Sequence, residues 1–179
     1  MVIYYKYDFY IFCAYGIERT GYMDIFKVSL FGHREIDSLR EIDNLLIPYL
    51  KELVSTHQFT SFLIGRSGEF DEYAASIIKC IQKDCGTEST ELTLVLPYTV
   101  SKLPDYEKYY DSVFIPESLA NAHPKSAITL RNHWMIDNSD LVIVYTKRKF
   151  GGAYEALRYA IKTNKSTINL CKKLDLLIQ

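Results

Sequence analysis

The chain has no CxxC pair. Its four cysteines, Cys13, Cys80, Cys85 and Cys171, are scattered, which indicates neither a zinc site nor a disulfide framework. They read as buried or incidental thiols in a reducing cytoplasm, and no metal is expected. No apolar run approaches the ~20 residues needed to span a bilayer, so no membrane association is expected. Charge of one sign is not in excess either. Twenty-one Lys and Arg against 22 Asp and Glu leave a net charge of −1, which makes nucleic acid an improbable partner, since that usually needs a basic face. The local cluster Lys147, Arg148 and Lys149 is the exception. There is no repeat, linker or low-complexity tract, and no Ser-His-Asp spacing stands out. His123 and His133 have no obvious partners in the sequence.

What is present suits one soluble domain: 179 residues, 48% apolar and 24% charged, enough to bury a sizeable core. The N-terminus is unusual. Eight aromatics, Tyr4, Tyr5, Tyr7, Phe9, Tyr10, Phe12, Tyr15 and Tyr22, fall before Met23. Lys6 and Asp8 interrupt them, so the stretch makes a poor signal-peptide core. Residues 1–22 are therefore set apart as an aromatic-rich extension. It is either an added strand or hairpin or upstream sequence, with the domain proper at 23–179 and Met23 opening it.

From Asp24 the rhythm is regular. Residues 26–31 read as a buried strand ending at Gly32. Apolar residues at Ile36, Leu39, Ile42, Leu45, Leu46, Tyr49, Leu50 and Leu53 have helical spacing over 36–57, with Pro48 expected to bend or split the helix. A second strand follows at 59–64, a helix at 70–83, and a third strand at 92–96 stopped by Pro97. Residues 98–124 are irregular, with three prolines, a tyrosine cluster at 106–110 and a short strand at 113–115. A connection this long in a compact domain is usually functional or mobile. Helix returns at 126–138, then strand 141–145, helix 153–163 and strand 167–170. Nearly continuous apolar strands alternating with helices predict an α/β fold: a single Rossmann-like domain, its sheet mainly parallel, with helices on both faces. Ligands then belong at the carboxyl ends of the strands.

Two glycine-bearing turns stand at such ends. Gly65 and Gly68 separate the second strand from its helix, and Gly151 and Gly152 follow the three basic residues and open the last long helix. A strand turning through glycine into a helix aims unpaired N–H groups above the sheet, and with the helix dipole this favours a phosphate. The Gly65 and Gly68 turn contacts phosphate or ribose, or only gives the backbone its shape. Gly32, His33 and Arg34 follow the first strand. Arg34 can take a phosphate in bidentate fashion and His33 can donate to it, the alternative being a solvated loop. Asp71 is either a helix cap or a ligand contact. Arg131 and Met135 share a helix face with Asn132 beside it. A mostly buried arginine needs a partner, either Asp137 or Asp140 structurally or a ligand phosphate. Trp134 and Met135 read as core. Glu155, in the first turn of the last helix, is a ribose contact, a base, or an ordinary first-turn acid.

With these residues in order, the chain resembles the SLOG superfamily, which unites the DNA-processing protein Smf/DprA with the LOG-type phosphoribohydrolases. It is most similar to small stand-alone members found in Firmicutes and their phages. The landmarks are Phe31 to Arg34, Gly65 to Asp71, Leu94 to Tyr98, Arg131 to Asp140, and Gly151 to Ala153. Together they cover about residues 26–170 and leave 1–22 outside. The resemblance implies a Rossmann-like domain that binds a nucleotide or an NAD- or ADP-ribose-derived ligand, for sensing or sequestering a signal in phage–host defence. It adds Arg66, Ser67 and Pro97 to the ligand-side residues. It implies a small-molecule ligand rather than a resident cofactor, and a homo-oligomer. Two alternatives come with it: phosphoribohydrolase or N-glycosidase action on nucleoside monophosphates with Glu155 as the acid, and single-stranded DNA binding. The LOG pattern is not kept in the last turn. Phe150 replaces its proline, Tyr154 and Glu155 replace a Gly-Thr pair, and Leu157 and Arg158 fall where the catalytic acid belongs. That departure argues against hydrolysis, because positive charge developing on a ribose needs a placed carboxylate.

Overall fold

A computed structural model describes residues 24–120 and 122–171. The aromatic-rich stretch 1–22, Met23 and the last residues of the expected domain lie outside the described residues. Six strands, β1 (Ile25–Gly32), β2 (Phe59–Ile64), β3 (Thr90–Val95), β4 (Ser112–Phe114), β5 (Leu141–Tyr145) and β6 (Ser166–Asn169), form one sheet. Its order is β4-β3-β2-β1-β5-β6 and every pairing is parallel. Helices α1 (Leu39–Thr56), α2 (Glu69–Cys85), α3 (Leu103–Tyr109), α4 (Pro124–Asp137) and α5 (Gly152–Lys162) connect them. The expected α/β, Rossmann-like architecture is what is found.

Alternation along the strands divides the core in two. Val28, Leu30, Phe62, Ile64, Leu92, Leu94, Ile143 and Tyr145 face α1 and α2, with Leu103 and Tyr106 of α3 packed against the same cluster. Phe31, Leu63, Val95, Val142 and Val144 face the other way, against Met135 and Ile136 of α4 and Ala153, Ala156, Leu157 and Ala160 of α5. Because both faces are covered, the strands read as unbroken apolar runs rather than alternating ones.

The topology reverses once. From β1 the chain builds outward through β2 and β3 to β4, with its crossovers on one face. It then returns through α4 to the far side of β1 and lays down β5 and β6. Right-handed crossovers require that return to use the opposite face. The reversal lies between β1 and β5, where Gly32 stands level with Tyr145. Strand ends diverge at such a switch point and leave a crevice.

Local signals set the helix ends. Ser38 caps α1 by accepting from the Glu41 N–H at 3.3 Å, and α2 begins with Glu69, Asp71 and Glu72 against the helix dipole. Pro48, expected to bend or split α1, does not split it. It sits on the exposed side opposite Ile42, Leu46 and Leu50, and Asn44, four residues earlier, is exposed as well. The carbonyl that loses a partner to proline can therefore turn to water. The 98–124 stretch is more ordered than expected, holding α3, β4 and a 3-10 turn at Glu117–Leu119. Asp111 anchors it: its carboxylate accepts from Lys79, from Gln82 at 2.7 Å and from the Leu92 N–H at 2.8 Å. Among the described residues no helix is long and apolar enough to cross a membrane. Among the described residues Cys80, Cys85 and Cys171 form no disulfide.

Candidate functional site

A small cavity of about 50 Å³ opens at the switch point. Gly32 and Arg34 bring the end of β1 to it, Gly65, Ser67 and Asp71 the turn from β2 into α2, Arg131 and Asn132 the side of α4, and Gly152 the start of α5. Residues far apart in the chain are gathered there because β1 and β5 end level with each other and β2 ends two residues short of them. The volume is several times the ~10–15 Å³ that one water needs. It is far below the ~300–1,000 Å³ of pockets that enclose a whole organic ligand. A compact group such as a phosphate is what it suits.

Arg131 organises the wall. It is only 2% exposed, and neither Asp137 nor Asp140 partners it. Asp137 accepts from the Tyr159 hydroxyl at 3.1 Å, and Asp140 from the Lys27 N–H at 2.8 Å. The guanidinium instead donates through Nη1 to the Val95 carbonyl at 2.8 Å and through Nη2 to Ser67 Oγ at 3.0 Å. Ser67 in turn donates its N–H to Asp71 Oδ2 at 2.7 Å, so one serine links the buried cation to the buried anion. Burial pushes the Asp71 carboxyl above the usual range, although the Ser67 N–H and the charge of Arg131 pull it down. Among the described residues the buried Nε of Arg131 has no acceptor.

The glycines divide by cause. A Cβ at Gly65 would come within 2.7 Å of the Arg131 guanidinium carbon, so that position stays bare for the arginine. Gly32 and Gly68 are likewise filled from inside the fold, by Phe70 and by the Arg34 backbone. The turn before α2 also consumes its own donors: Ser67 N–H goes to Asp71, and Glu69 N–H goes to the Arg34 carbonyl at 2.8 Å. The turn before α5 differs. Gly151 has φ +90°, a conformation that favours glycine. Gly152 has no such backbone, and a Cβ there would meet no atom within 4 Å. No side chain caps α5: the Glu155 N–H bonds back to the Gly151 carbonyl at 3.0 Å, while Gly152 and Ala153, which line the cavity, have N–H groups with no intrahelical acceptor.

The Arg34 side chain is exposed and has no hydrogen-bond or ion-pair partner among the described residues. Asn132 is likewise unpartnered there. Other expected site residues lie elsewhere. His33 Nε2 accepts from the Lys147 N–H at 3.0 Å and so ties the loop after β5 to the end of β1. Burial, then Arg148 and Lys147, hold the imidazole below its ordinary value, against Asp37, which raises it. Arg66 turns to α3, donating to the Tyr110 hydroxyl at 3.1 Å and lying 4.7 Å over the Tyr106 ring. Pro97 borders a second cavity. Glu155 is exposed, faces Arg158 at 3.4 Å and does not line the small cavity. Lys147 is drawn to Glu41 at 2.7 Å, leaving Arg148 and Lys149 as the exposed remainder of the basic cluster.

Neither the family models nor the curated proteins contain a match to this chain. The site therefore stands on its geometry. His123 and His133, unassigned from the sequence, have local duties: His123 caps α4 through Nδ1, and His133 stacks on Tyr159 at 3.7 Å. Met135 is core and Trp134 packs on Phe114. Among the described residues no three His, Cys, Asp or Glu side chains are grouped to hold a metal ion.

Proposed function

We propose that this protein binds the phosphate group of a nucleotide or NAD- or ADP-ribose-derived ligand in the switch-point cavity, and that it holds the ligand rather than cleaving it. The observation that carries this reading is the uncapped start of α5 over a phosphate-sized cavity whose rim holds an unpartnered arginine, Arg34. Oriented N–H groups and a free guanidinium are the donors a phosphate dianion takes. Arg131 supports the wall and supplies positive charge from behind it. The holding role rests on the placement of Glu155, whose exposed ion pair with Arg158 leaves it off the cavity wall. Sensing or sequestering a signal in phage–host conflict is the role the resemblance suggests for such a binding module.

The test is calorimetric titration of the full chain with nucleoside monophosphates and ADP-ribose. Native mass spectrometry of gently purified protein would search beforehand for a retained nucleotide. Arg34→Ala should lower affinity by roughly 1.5–3 kcal/mol, about 10- to 150-fold, because it removes a charge-assisted contact. Its thermal midpoint should stay near that of wild type, because the side chain is exposed. Equal affinity in the mutant would remove Arg34 from the site, and release of free base during the titration would restore the hydrolase reading.

A further inference from the structure

A second cavity, of about 550 Å³, opens at the carboxyl ends of β3 and β4, along the same edge of the parallel sheet as the first. Its walls are Pro97 and Tyr98 after β3, Ile115 after β4, Leu119 in the 3-10 turn, and Ala122 and Pro124 leading into α4. Among the described residues nothing charged lines it, and Tyr98 is 49% exposed. The two cavities have no lining residue in common and are linked through Arg131, which interacts electrostatically with Tyr98. Arg131, which lines the small one, is held by the Val95 carbonyl at 2.8 Å, and Pro97, two residues further along the same strand end, lines the large one.

The two differ in size and chemistry in the way the two ends of a nucleotide differ. One is small, positive and edged by N–H groups. The other falls within the ~300–1,000 Å³ of organic ligand pockets and is walled by flat or aliphatic surfaces. We infer that the large cavity is the nucleobase subsite for the ligand whose phosphate occupies the small one. The base lies against the Tyr98 ring and between the two proline-bearing loops. An apolar wall with an exposed phenol ring favours a flat ring system, since every base has a π-face to stack. The absence of charged side chains around it predicts that purines and pyrimidines are distinguished mainly by stacking area. This inference rests on the phosphate reading above.

The experiment compares three probes on the full chain: inorganic phosphate, ribose 5-phosphate and adenosine monophosphate. Wild type should bind adenosine monophosphate roughly 5- to 140-fold more tightly than ribose 5-phosphate, the scale of one stacked base. Ala122→Phe, which fills the cavity, and Tyr98→Ala, which removes an exposed wall, should each erase most of that advantage while leaving ribose 5-phosphate affinity unchanged. Tyr98→Ala keeps the test alive if Ala122→Phe does not fold. An advantage that survives in Tyr98→Ala and in a folded Ala122→Phe, or that is missing from wild type while ribose 5-phosphate still binds, places the base elsewhere and overturns the inference alone. Failure of all three probes to bind overturns the phosphate reading with it.

Discussion

The Arg131 guanidinium reaches the Val95 carbonyl and Ser67 Oγ because no Cβ stands at position 65. In Gly65→Ala the charge stays buried while its partners are pushed away, and leaving a buried cation short of acceptors is among the costlier single changes a fold can suffer. We expect a loss of roughly 2–4 kcal/mol in urea unfolding. Arg131→Met removes the cation together with its bonds but leaves the buried Asp71 without its counter-charge, so it should cost at least as much as Gly65→Ala. If Gly65→Ala is nearly neutral, the arginine can move aside and the close approach does not matter. The sequence made it plain that an arginine on a buried helix face needs a partner. It could not name the partner, because the nearby Asp137 and Asp140 are taken by Tyr159 and Lys27, and Val95 and Ser67 are distant in the chain.

Two glycine turns that look alike in sequence become different elements. The α2 turn closes on itself through Asp71 and the Arg34 carbonyl, whereas no side chain or neighbouring loop among the described residues takes the Gly152 and Ala153 N–H groups that open α5. Strand and helix order was legible because buried strands and amphipathic helices write their periods locally. Which turn stays open was not, since that depends on a carboxylate folding back and on a neighbouring loop. Gly152 gives the test at this scale. Gly152→Ala places a methyl in space that no protein atom fills, and alanine is the better helix residue, so stability should hold or rise by up to about 1 kcal/mol. Phosphate-ligand affinity should fall about tenfold or more, as one charge-assisted hydrogen bond is lost. A variant that is more stable and binds equally well would show that the α5 N–H groups face no ligand.

At the scale of the molecule, the site exists because the chain reverses at β1. That reversal was not legible: residues 98–124 signalled an unusual connection, but no local pattern says which edge of the sheet it will reach. His33 fastens the two sides of the reversal, its Nε2 accepting from the Lys147 N–H across the gap between β1 and the loop after β5. A protonated imidazole carries hydrogen on both nitrogens and cannot accept, so acid opens this fastening. The folded state holds His33 below its ordinary 6.5, by burial and by Arg148 and Lys147 against the opposing Asp37. Between the folded value and 6.5 the unfolded chain therefore binds more protons, and stability contributed by His33 is full above 6.5 and falls as pH drops through that window. Asp71, with its carboxyl raised by burial, has the opposite sign, because the folded state takes up its proton first. Asp111 lies lower: burial raises its carboxyl, but the bonds from Gln82, Lys79 and the Leu92 N–H outweigh that and hold it below 3.8, so its contribution fades only in stronger acid. The difference between wild type and His33→Gln cancels the two aspartates. Measured by urea unfolding from pH 7.5 to 5.5, that difference should move against wild type as pH falls. A flat difference would mean that the loop after β5 is held by something other than a neutral His33.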